Sequence, residues 1–328
     1  MNVAVVIPCI GVDPLLVRCV ERCAEGWPEA EIVVLLDDAD GAEAIAHRAR
    51  VIETGPVTIA EKRNRGVAAT DARHVAFIDS DAYPAPGWLD RAVELLEADP
   101  GLGAVGGPDV SPPDQPRTQR AVGAAQRSFL VKGWWRYRKV PGAAARDVRA
   151  LPSCNLVVRR ADYDALGGMR ADLFTAEDTD FCARLDRAGR RLRFDPGVQV
   201  FHKDRGLRAF VIQRYTFGVA MVPLLRLGTS PEAAYTAVSA VPAGAVLFLA
   251  SGALIPAVPA WRRPWRAGAG LLAAAVAVEA VRLGRRRPTE IPLVAVALLI
   301  GHLGPGVGIL ARAAGFGRDL RGVYRNDR

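Results

Sequence analysis

The sequence predicts an α/β domain with a mostly parallel central sheet, followed by a C-terminal helical region that crosses a membrane. Short uninterrupted apolar runs alternate with stretches of helical spacing through the first two thirds of the chain, which is typical of strands covered on both faces. Charged side chains then disappear over long stretches after Ala233. Because a single hydrophobic core stops growing near about 250–300 residues, we divide the 328-residue chain into residues 1–228 and 229–328.

The first elements of the chain have clear ends. Val3–Ile7 is a β-branched run that Pro8 stops, because proline offers no N–H group to a central strand. Asp13–Gly26 has helical spacing and follows directly. Glu31–Leu36 is a second continuous apolar run, and the acidic cluster that begins at Asp37 ends it. This strand, helix and strand predict a parallel pairing.

The same alternation continues along the domain. Asp79 ends the fourth predicted strand, and Gly189 stops the last predicted helix. Asp109–Pro116 is rich in proline and aspartate and is predicted to be a loop. The further predicted strands are Val51–Glu53, His74–Ile78, Leu102–Gly106, Cys154–Val158 and Leu192–Asp195. The further predicted helices are Ala42–Arg50, Ile59–Ala69, Trp88–Asp99, Ala161–Leu166 and Asp178–Ala188.

The charge and the cysteines exclude two classes of protein. The net charge is +8, and residues 229–328 carry twelve arginines and five acids, so the excess positive charge lies beside the apolar runs. That distribution fits a membrane surface, and we expect no nucleic-acid partner. The five cysteines lie in the nearly neutral first part without the spacing of a zinc site, so we interpret them as free thiols in a reducing compartment rather than a disulfide framework.

The C-terminal region contains three apolar segments. About 20 apolar residues cross a bilayer as a helix, so the first and third segments are long enough and the second, which contains Glu279, is marginal. Pro242, Pro256 and Pro259 leave a re-entrant hairpin open for the first segment, and a buried helical core is the alternative to insertion. We expect a multi-pass protein of the cell membrane whose sheet domain faces the cytoplasm, and the N-terminus has no signal-peptide pattern. In a simple three-span arrangement the arginine clusters after the first and second segments lie on opposite sides of the membrane, so the positive-inside rule gives no orientation. The segments cover about residues 233–261, 267–283 and 291–314.

A pair of carboxylates follows one of the predicted strands. Asp79 and Asp81 are separated by Ser80 and come directly after His74–Ile78. Two carboxylates at a strand end can hold a hard divalent cation that bridges a diphosphate, and oxygen ligands suit Mg²⁺ or Mn²⁺. His202, which also follows an apolar run, could complete such a site. A solvated turn and a structural histidine are the alternatives at these positions.

Other polar groups stand at positions where a nucleotide or an acceptor could bind. Asp37 and Asp38 end the second strand and could contact a nucleoside, or form an ordinary turn. Lys62 and Arg63 share a short helix and could hold a diphosphate, although a solvated face would look similar. Glu177-Asp178 begins a helix, where a carboxylate can act as a general base or simply cap the helix.

The order of these motifs resembles that of family 2 glycosyltransferases, which are inverting enzymes with a single nucleotide-binding domain of the GT-A fold. The resemblance extends from residue 3 to about residue 218 and is carried by the ordered set rather than by one motif. The matching segments are Val5-Val6-Ile7-Pro8, Asp37-Asp38, Arg63-Asn64-Arg65-Gly66, Phe77-Ile78-Asp79-Ser80-Asp81, Gly106-Gly107-Pro108, Cys154–Arg160, Leu166–Met169 and Ala176–Phe181.

The resemblance implies a role for each candidate residue. Asp178 would be the catalytic base and Glu177 would orient the acceptor. Asp81, Asp79 and His202 would bind Mg²⁺ or Mn²⁺. The nucleoside-diphosphate sugar donor would contact Pro8, Asp37, Asp38, Lys62, Arg63, Asn64, Asp79 and Ser80.

One departure from the family pattern bears on the product. Polymer-making members carry Gln-x-x-Arg-Trp after the acid pair, whereas this chain has Gln213-Arg214-Tyr215-Thr216-Phe217, so we expect one sugar per encounter. A membrane anchor favours a lipid or a lipid-linked saccharide as the acceptor. A sugar nucleotidyltransferase is a first alternative, although Pro8-Cys9-Ile10-Gly11 lacks its glycine-rich loop. A catalytically degenerate membrane partner protein is a second.

Overall fold

The computed structural model describes residues 2–173, 175–227 and 233–316, and the chain forms two compact units. The first unit consists of Met1–Pro112 and Arg138–Lys203, and the second of Pro113–Tyr137 and Asp204–Arg328. Residues 113–137, which we expected in the N-terminal domain, therefore group with the C-terminal helices. The domain boundary predicted at residue 228 lies outside the described residues.

The described elements alternate in the first unit and are helical in the second. The strands are β1 (Val3–Pro8), β2 (Glu31–Leu36), β3 (Arg50–Glu53), β4 (His74–Ile78), β5 (Ala82–Pro84), β6 (Leu102–Gly106), β7 (Asp109–Val110), β8 (Arg146–Val148), β9 (Asn155–Arg159), β10 (Arg191–Phe194) and β11 (Val200–His202). The helices of the first unit are α1 (Pro14–Gly26), α2 (Ile59–Ala68), α3 (Trp88–Ala98), α6 (Arg160–Ala165) and α7 (Glu177–Arg187). Those of the second are α4 (Arg117–Gln126), α5 (Phe129–Lys132), α8 (Leu207–Leu227), α9 (Ala233–Ala250), α10 (Arg262–Gly284) and α11 (Ile291–Ala313).

The core of the first unit is an eight-stranded sheet in the order β3-β2-β1-β4-β9-β6-β10-β8. Its strands pair in parallel except for β9, which is antiparallel to both β4 and β6, and β8, which is antiparallel to β10. Strands β1, β4 and β6 are buried along their whole length, as continuous apolar runs require. The predicted mostly parallel sheet is therefore confirmed.

Side-chain caps fix where helices α1 and α2 begin. The Asp13 side chain accepts hydrogen bonds from the N–H groups of Leu15 and Leu16 and so begins α1, which buries its apolar face in the core. Thr58 caps α2 in the same way by accepting from the Glu61 N–H group. A Cβ atom at Gly66 would lie 2.4 Å from a methyl group of Val6, so glycine is needed for α2 to approach β1 this closely. That approach brings the polar residues of α2 to the edge of the sheet.

A second, three-stranded sheet has the order β5-β11-β7. Its central strand β11 is antiparallel to β5, with His202 opposite Ala82, and parallel to β7, with Val200 opposite Asp109. The segment 109–116 was predicted to be a loop, and this was wrong for its first two residues, which form β7. The pairing places His202 directly beside the Asp79–Asp81 turn.

The predicted helix Ala42–Arg50 is wrong. The structure contains a single turn of 3₁₀ helix at Ala42–Ala44, further turns, and then β3 from Arg50. Ile45 is the one large apolar side chain in this stretch and is fully buried. Ala42, Ile45 and Ala49 all pack on the core, but only Ile45 buries a large side chain, so a helix here would gain little from its apolar face and short turns that bury Ile45 are favoured.

The second unit is held together by close helix contacts. Small and apolar residues of α4 share one buried cluster with Val294, Ala297 and Leu298 of α11, which explains why residues 113–137 group with the C-terminal helices. Helices α8 and α11 approach still more closely, because a Cβ atom at Gly218 would lie 2.1 Å from the carbonyl oxygen of Pro305. Such an approach is possible only where a side chain is missing.

Two helices in the described part of the chain are long and apolar enough to cross a membrane, namely Pro259–Gly284 and Pro288–Ala313. A core helix of a soluble protein can have the same length and composition. The second predicted segment is thus longer than expected. The first predicted segment, 233–261, is not one helix, because α9 ends at Ala250 and only short helical turns follow before α10. Pro256 and Pro259 interrupt it, since proline cannot continue the helical hydrogen bonds.

Candidate active site

The Asp79–Asp81 turn and His202 form a cluster of possible metal ligands. The His202 Nε2 atom lies 3.1 Å from an oxygen of Asp81 and 4.0 Å from an oxygen of Asp79. One ligand atom from each of the three residues lies within 4.8 Å of the other two. Two carboxylates and one imidazole fit Mn²⁺ well, and the carboxylates alone would also suit Mg²⁺. Ser80, which separates Asp79 from Asp81 in the sequence, is buried.

The charge around His202 is consistent with a cation-binding position. Burial alone would lower the pKa of the imidazole, but the nearby Asp81 carboxylate raises it well above the usual range, with further contributions from Cys154 and Asp109. A backbone hydrogen bond also holds His202 close to Asp81, because the N–H group of the next residue, Lys203, donates to the carbonyl oxygen of Asp81 at 3.1 Å. The field that would favour a protonated imidazole would equally favour a bound divalent cation.

Arg63 connects this cluster to the predicted acid pair. Its guanidinium, which is buried, donates to Asp79 at 2.9 Å and to Glu177 at 2.5 Å. Burial lowers the pKa of Arg63, but the carboxylates of Glu177, Asp79 and Asp178 raise it further, so the guanidinium stays charged. One arginine on α2 therefore holds a carboxylate from the end of β4 and one from the start of α7 at the same place.

Asp178, the predicted base, is half-buried, and the backbone orients its carboxylate. One oxygen accepts from the N–H group of Ser153 at 3.1 Å, and the other accepts from the N–H group of Thr179 at 2.7 Å. The chain enters α7 through Ala176, which has a left-handed conformation with φ 66° and ψ 24°. Among the described residues it is the one non-glycine with positive φ. Glu177 and Asp178 follow in the first turn of α7, so this unfavourable backbone conformation sets the direction of the helix that carries both carboxylates.

The predicted nucleoside contacts lie at the ends of β1 and β2. Lys62 is buried, and its ammonium donates to the carbonyl oxygen of Cys9 and to the Asp37 carboxylate. Asp38 is exposed and accepts from the N–H group of Asp40 at 3.3 Å. Asp37 is therefore engaged with the protein, and Asp38 is the acid of this pair that a ligand in solvent can reach. Pro8, the last residue of β1, is buried beside them.

Asn64 has a clear structural partner. Its amide oxygen accepts from the Tyr163 hydroxyl at 2.6 Å and from the Met169 N–H group at 2.9 Å, and its NH₂ group donates to the Met169 carbonyl oxygen at 2.8 Å. Gly168 has positive φ, and a Cβ atom there would lie 2.6 Å from the Asn64 amide oxygen. The side chain predicted to bind the donor thus secures the segment that leads to Glu177.

Two residues beside His202 were not predicted as site residues, namely Asp109 and Cys154. Asp109 closely follows the end of β6, as the other candidate acids follow their strands, but its proline-rich surroundings led to its assignment as a loop residue. Cys154 was read only as a free thiol. Their atoms form a second group with His202, again within 4.8 Å.

Known sequences match about half of this chain. The model of glycosyl transferase family 2 matches residues 4–176. The pre-mycofactocin glycosyltransferase of Mycobacterium tuberculosis is 32% identical over 166 residues, which are 50% of this chain and 34% of that protein. The uncharacterized protein y4gI of Sinorhizobium fredii is 25% identical over 200 residues, 56% of this chain and 21% of that protein. The chain thus spans about a third or less of the length of these relatives.

A solved structure has a similar fold along most of the chain. The mannosyltransferase PcManGT from Pyrobaculum calidifontis, in complex with GDP-Man and Mn²⁺, superposes with a TM-score of 0.56 and 21% identity, over 92% of this chain and 87% of that one. The family match contains Asp79 and Asp81 but stops immediately before Glu177, so the arrangement of Glu177, Asp178 and His202 is known here from geometry. The first unit is a GT-A-like α/β domain, and the chain belongs to glycosyl transferase family 2.

Proposed function

We propose that this protein is a metal-dependent inverting glycosyltransferase of cell-envelope glycan synthesis that moves one sugar from a nucleoside-diphosphate sugar to a hydroxyl or phosphate group. The observation that carries the proposal is the position of Arg63, whose guanidinium contacts both Asp79 and Glu177. This contact joins the carboxylates that suit a metal, Asp79 and Asp81, to the Glu177-Asp178 pair that suits proton transfer. Family 2 membership supports the reaction class.

The donor would bind beside the metal ligands. Asp79, Asp81 and His202 would hold Mg²⁺ or Mn²⁺, which when bound neutralises charge on a leaving nucleoside diphosphate. The exposed Asp38, supported by the Lys62–Asp37 pair, would contact the nucleoside. Pro8, Ser80 and Arg63 would complete this side of the site, whereas we propose that Asn64 acts by positioning the segment up to Met169.

The acceptor would bind beside α7. Asp178 would remove the proton of the attacking hydroxyl, and the two N–H groups that it accepts from keep its carboxylate in one orientation. Glu177, paired with the permanently charged Arg63, would orient the acceptor. Burial raises the pKa of this carboxyl, and the charge of Arg63 opposes that shift. Attack on the sugar from the side opposite the leaving diphosphate inverts the anomeric carbon.

The C-terminal helices suggest where the acceptor is found. Pro259–Gly284 and Pro288–Ala313 would anchor the protein in the cell membrane as a multi-pass protein, with the first unit on the cytoplasmic side. A tether at the bilayer raises the local concentration of a lipid or a lipid-linked saccharide, which we propose as the acceptor. Arginines flank both helices and suit an anionic membrane surface.

A binding screen followed by product analysis tests the proposal. Full-length protein in detergent would be heated with UDP, GDP, CDP, ADP or dTDP, each with Mn²⁺, Mg²⁺ or EDTA, and we expect one base to raise the unfolding temperature only when metal is present. The matching sugar nucleotide would then be offered with membrane lipid extract, starting with GDP-mannose because the solved structure of PcManGT is a complex with it.

The product decides between the proposal and its alternatives. An NMR spectrum that shows the inverted anomer supports it, and a retained anomer contradicts it. Pyrophosphate release from a nucleoside triphosphate and a sugar 1-phosphate would indicate a nucleotidyltransferase instead. Binding without donor turnover or hydrolysis would indicate a degenerate partner protein.

A further inference from the structure

His202 lies between two groups of side chains that approach its two ring nitrogens. Nε2 faces Asp81 at 3.1 Å, and Nδ1 faces Asp109 at 3.9 Å. Both groups contain atoms that could bind a cation, because one ligand atom from Asp109, Cys154 and His202 also falls within 4.8 Å of the others. A neutral imidazole has one lone pair and one N–H group, so only one of its nitrogens can bind a metal while the other carries the proton.

The order of the small sheet explains why His202 has two sides. Its strand β11 is central, with β5 on one edge and β7 on the other. The turn that carries Asp79 and Asp81 leads directly into β5, and Asp109 belongs to β7, where it pairs with Val200. Strand pairing, rather than a flexible loop, therefore sets the distance from Asp109 to His202.

Lys139 distinguishes the two sides. Its ammonium lies 2.6 Å from the Asp109 carboxylate, and both side chains are buried. A divalent cation bound at Asp109 would lie next to this ammonium where the dielectric constant is low, and the repulsion would be strong. The Arg63 guanidinium also contacts Asp79, but it is shared with Glu177, and Asp81 adds a second carboxylate on that side. The Asp109 side has one carboxylate, which the Lys139 ammonium balances, so it is less suited to a metal than the Asp79 and Asp81 side.

We infer that Asp109, held by Lys139, is a positioning residue that keeps the proton of His202 on Nδ1 and turns Nε2 toward Asp79 and Asp81. The inference rests on the proposed metal-dependent function. At 3.9 Å the Asp109 carboxylate acts through its charge rather than through a full hydrogen bond. Ligating histidines commonly face such a carboxylate with their second nitrogen, and its loss weakens metal binding by about 10–100-fold.

Mn²⁺ binding by the full-length protein tests the inference, with free Mn²⁺ measured by electron paramagnetic resonance. The pair would be removed by the double variant Asp109→Asn/Lys139→Met, which removes both charges of this buried ion pair together. We expect Mn²⁺ to bind about tenfold more weakly. Asp162→Asn/Arg190→Met is the matched control, because this pair, 2.7 Å apart, belongs to the same unit and involves none of the site residues. It should leave Mn²⁺ binding unchanged.

The tautomer of His202 provides a second measurement that needs no altered Asp109. Long-range ¹H–¹⁵N spectra of the wild-type protein with Mg²⁺ would be assigned by comparison with His202→Ala, since the chain has four histidines. We expect the proton on Nδ1. A proton on Nε2 would overturn the inference, whether or not the double variant folds.

The results separate the inference from the function on which it rests. If wild-type protein binds Mn²⁺, His202→Ala does not, and the Asp109 and Lys139 double variant binds as wild type, the inference is wrong and the metal site stands. If wild-type protein binds no Mn²⁺, or His202→Ala binds as tightly as wild type, the metal site of the proposed function fails and the inference fails with it.

Discussion

Asn64 and Met169 are joined by two hydrogen bonds, in which the asparagine amide both accepts from the Met169 N–H group at 2.9 Å and donates to its carbonyl oxygen at 2.8 Å. The amide thereby pairs with the backbone as a neighbouring strand would. Because the chain reaches Glu177 eight residues later, this contact connects α2 to the start of the acid pair. These hydrogen bonds support the positioning role that we propose for Asn64.

Asn64→Ala should therefore disturb the position of Glu177 and Asp178 without removing a contact to the nucleoside-diphosphate sugar. It removes the acceptor of the Tyr163 hydroxyl and the nearer of the two acceptors of the Met169 N–H group, which should lower the free energy of unfolding by about 1–3 kcal/mol. We expect slower transfer with an unchanged Kd for the nucleoside diphosphate, measured by calorimetry. A weaker nucleotide affinity with unchanged stability would show instead that Asn64 contacts the donor.

Asp178→Asn should abolish transfer while nucleotide binding persists. The change keeps the shape of the side chain and removes its ability to take a proton, so kcat should fall by about 10²–10⁴. Asp186→Asn is the control, because Asp186 is exposed on the same helix. Turnover at the wild-type rate in Asp178→Asn would contradict the role proposed for this residue.

Ala176 offers a test of backbone strain at the entry to α7. Glycine has no Cβ penalty at a φ of 66°, so Ala176→Gly should raise the free energy of unfolding by up to about 1 kcal/mol, and Ala176→Val should lower it. Gly167→Ala is the reverse control, since Gly167 has a φ of 70° and open space around a Cβ atom. It should be destabilised in urea or thermal unfolding. Equal stability of all three variants would argue against strain at residue 176.

The contact between α8 and α11 should tolerate no added methyl group. Gly218→Ala places a Cβ atom 2.1 Å from the Pro305 carbonyl oxygen, and the resulting shift should cost about 1–3 kcal/mol. Gly270→Ala is the matched helical control, because a Cβ atom at Gly270 meets no atom within 4 Å. Thermal unfolding in detergent should show a lower midpoint for the first variant alone.

Membrane insertion predicts the behaviour of the full-length protein on extraction. Pro259–Gly284 and Pro288–Ala313 should keep it in the pellet after a carbonate wash, and detergent should release it. A peripheral protein of the same membranes serves as the control that carbonate removes. If carbonate alone brings the chain into the supernatant, the two helices pack as a soluble core and the proposed anchoring is wrong.

Local patterns were sufficient to predict much of the first unit. The bounds predicted for β2, β4 and β6 agree with the structure, because each is a continuous apolar run between polar or turn-forming residues. Asp79 and Asp81 follow from the same pattern, since a carboxylate directly after a buried strand must lie at the sheet edge. These features depend on neighbours within a few residues, which a sequence displays directly.

By itself, then, the sequence determined most of the strands and helices of the first unit and which acids lie at their ends. Only the tertiary structure decided that β9 enters the sheet antiparallel, that His202 meets Asp81 from 121 positions away, and that Lys62 pairs with Asp37. It also decided that Ala42–Arg50 does not form a helix. Those outcomes depend on which distant surfaces pack together, and a charged or polar side chain has the same local pattern whether it binds a ligand or another part of the chain.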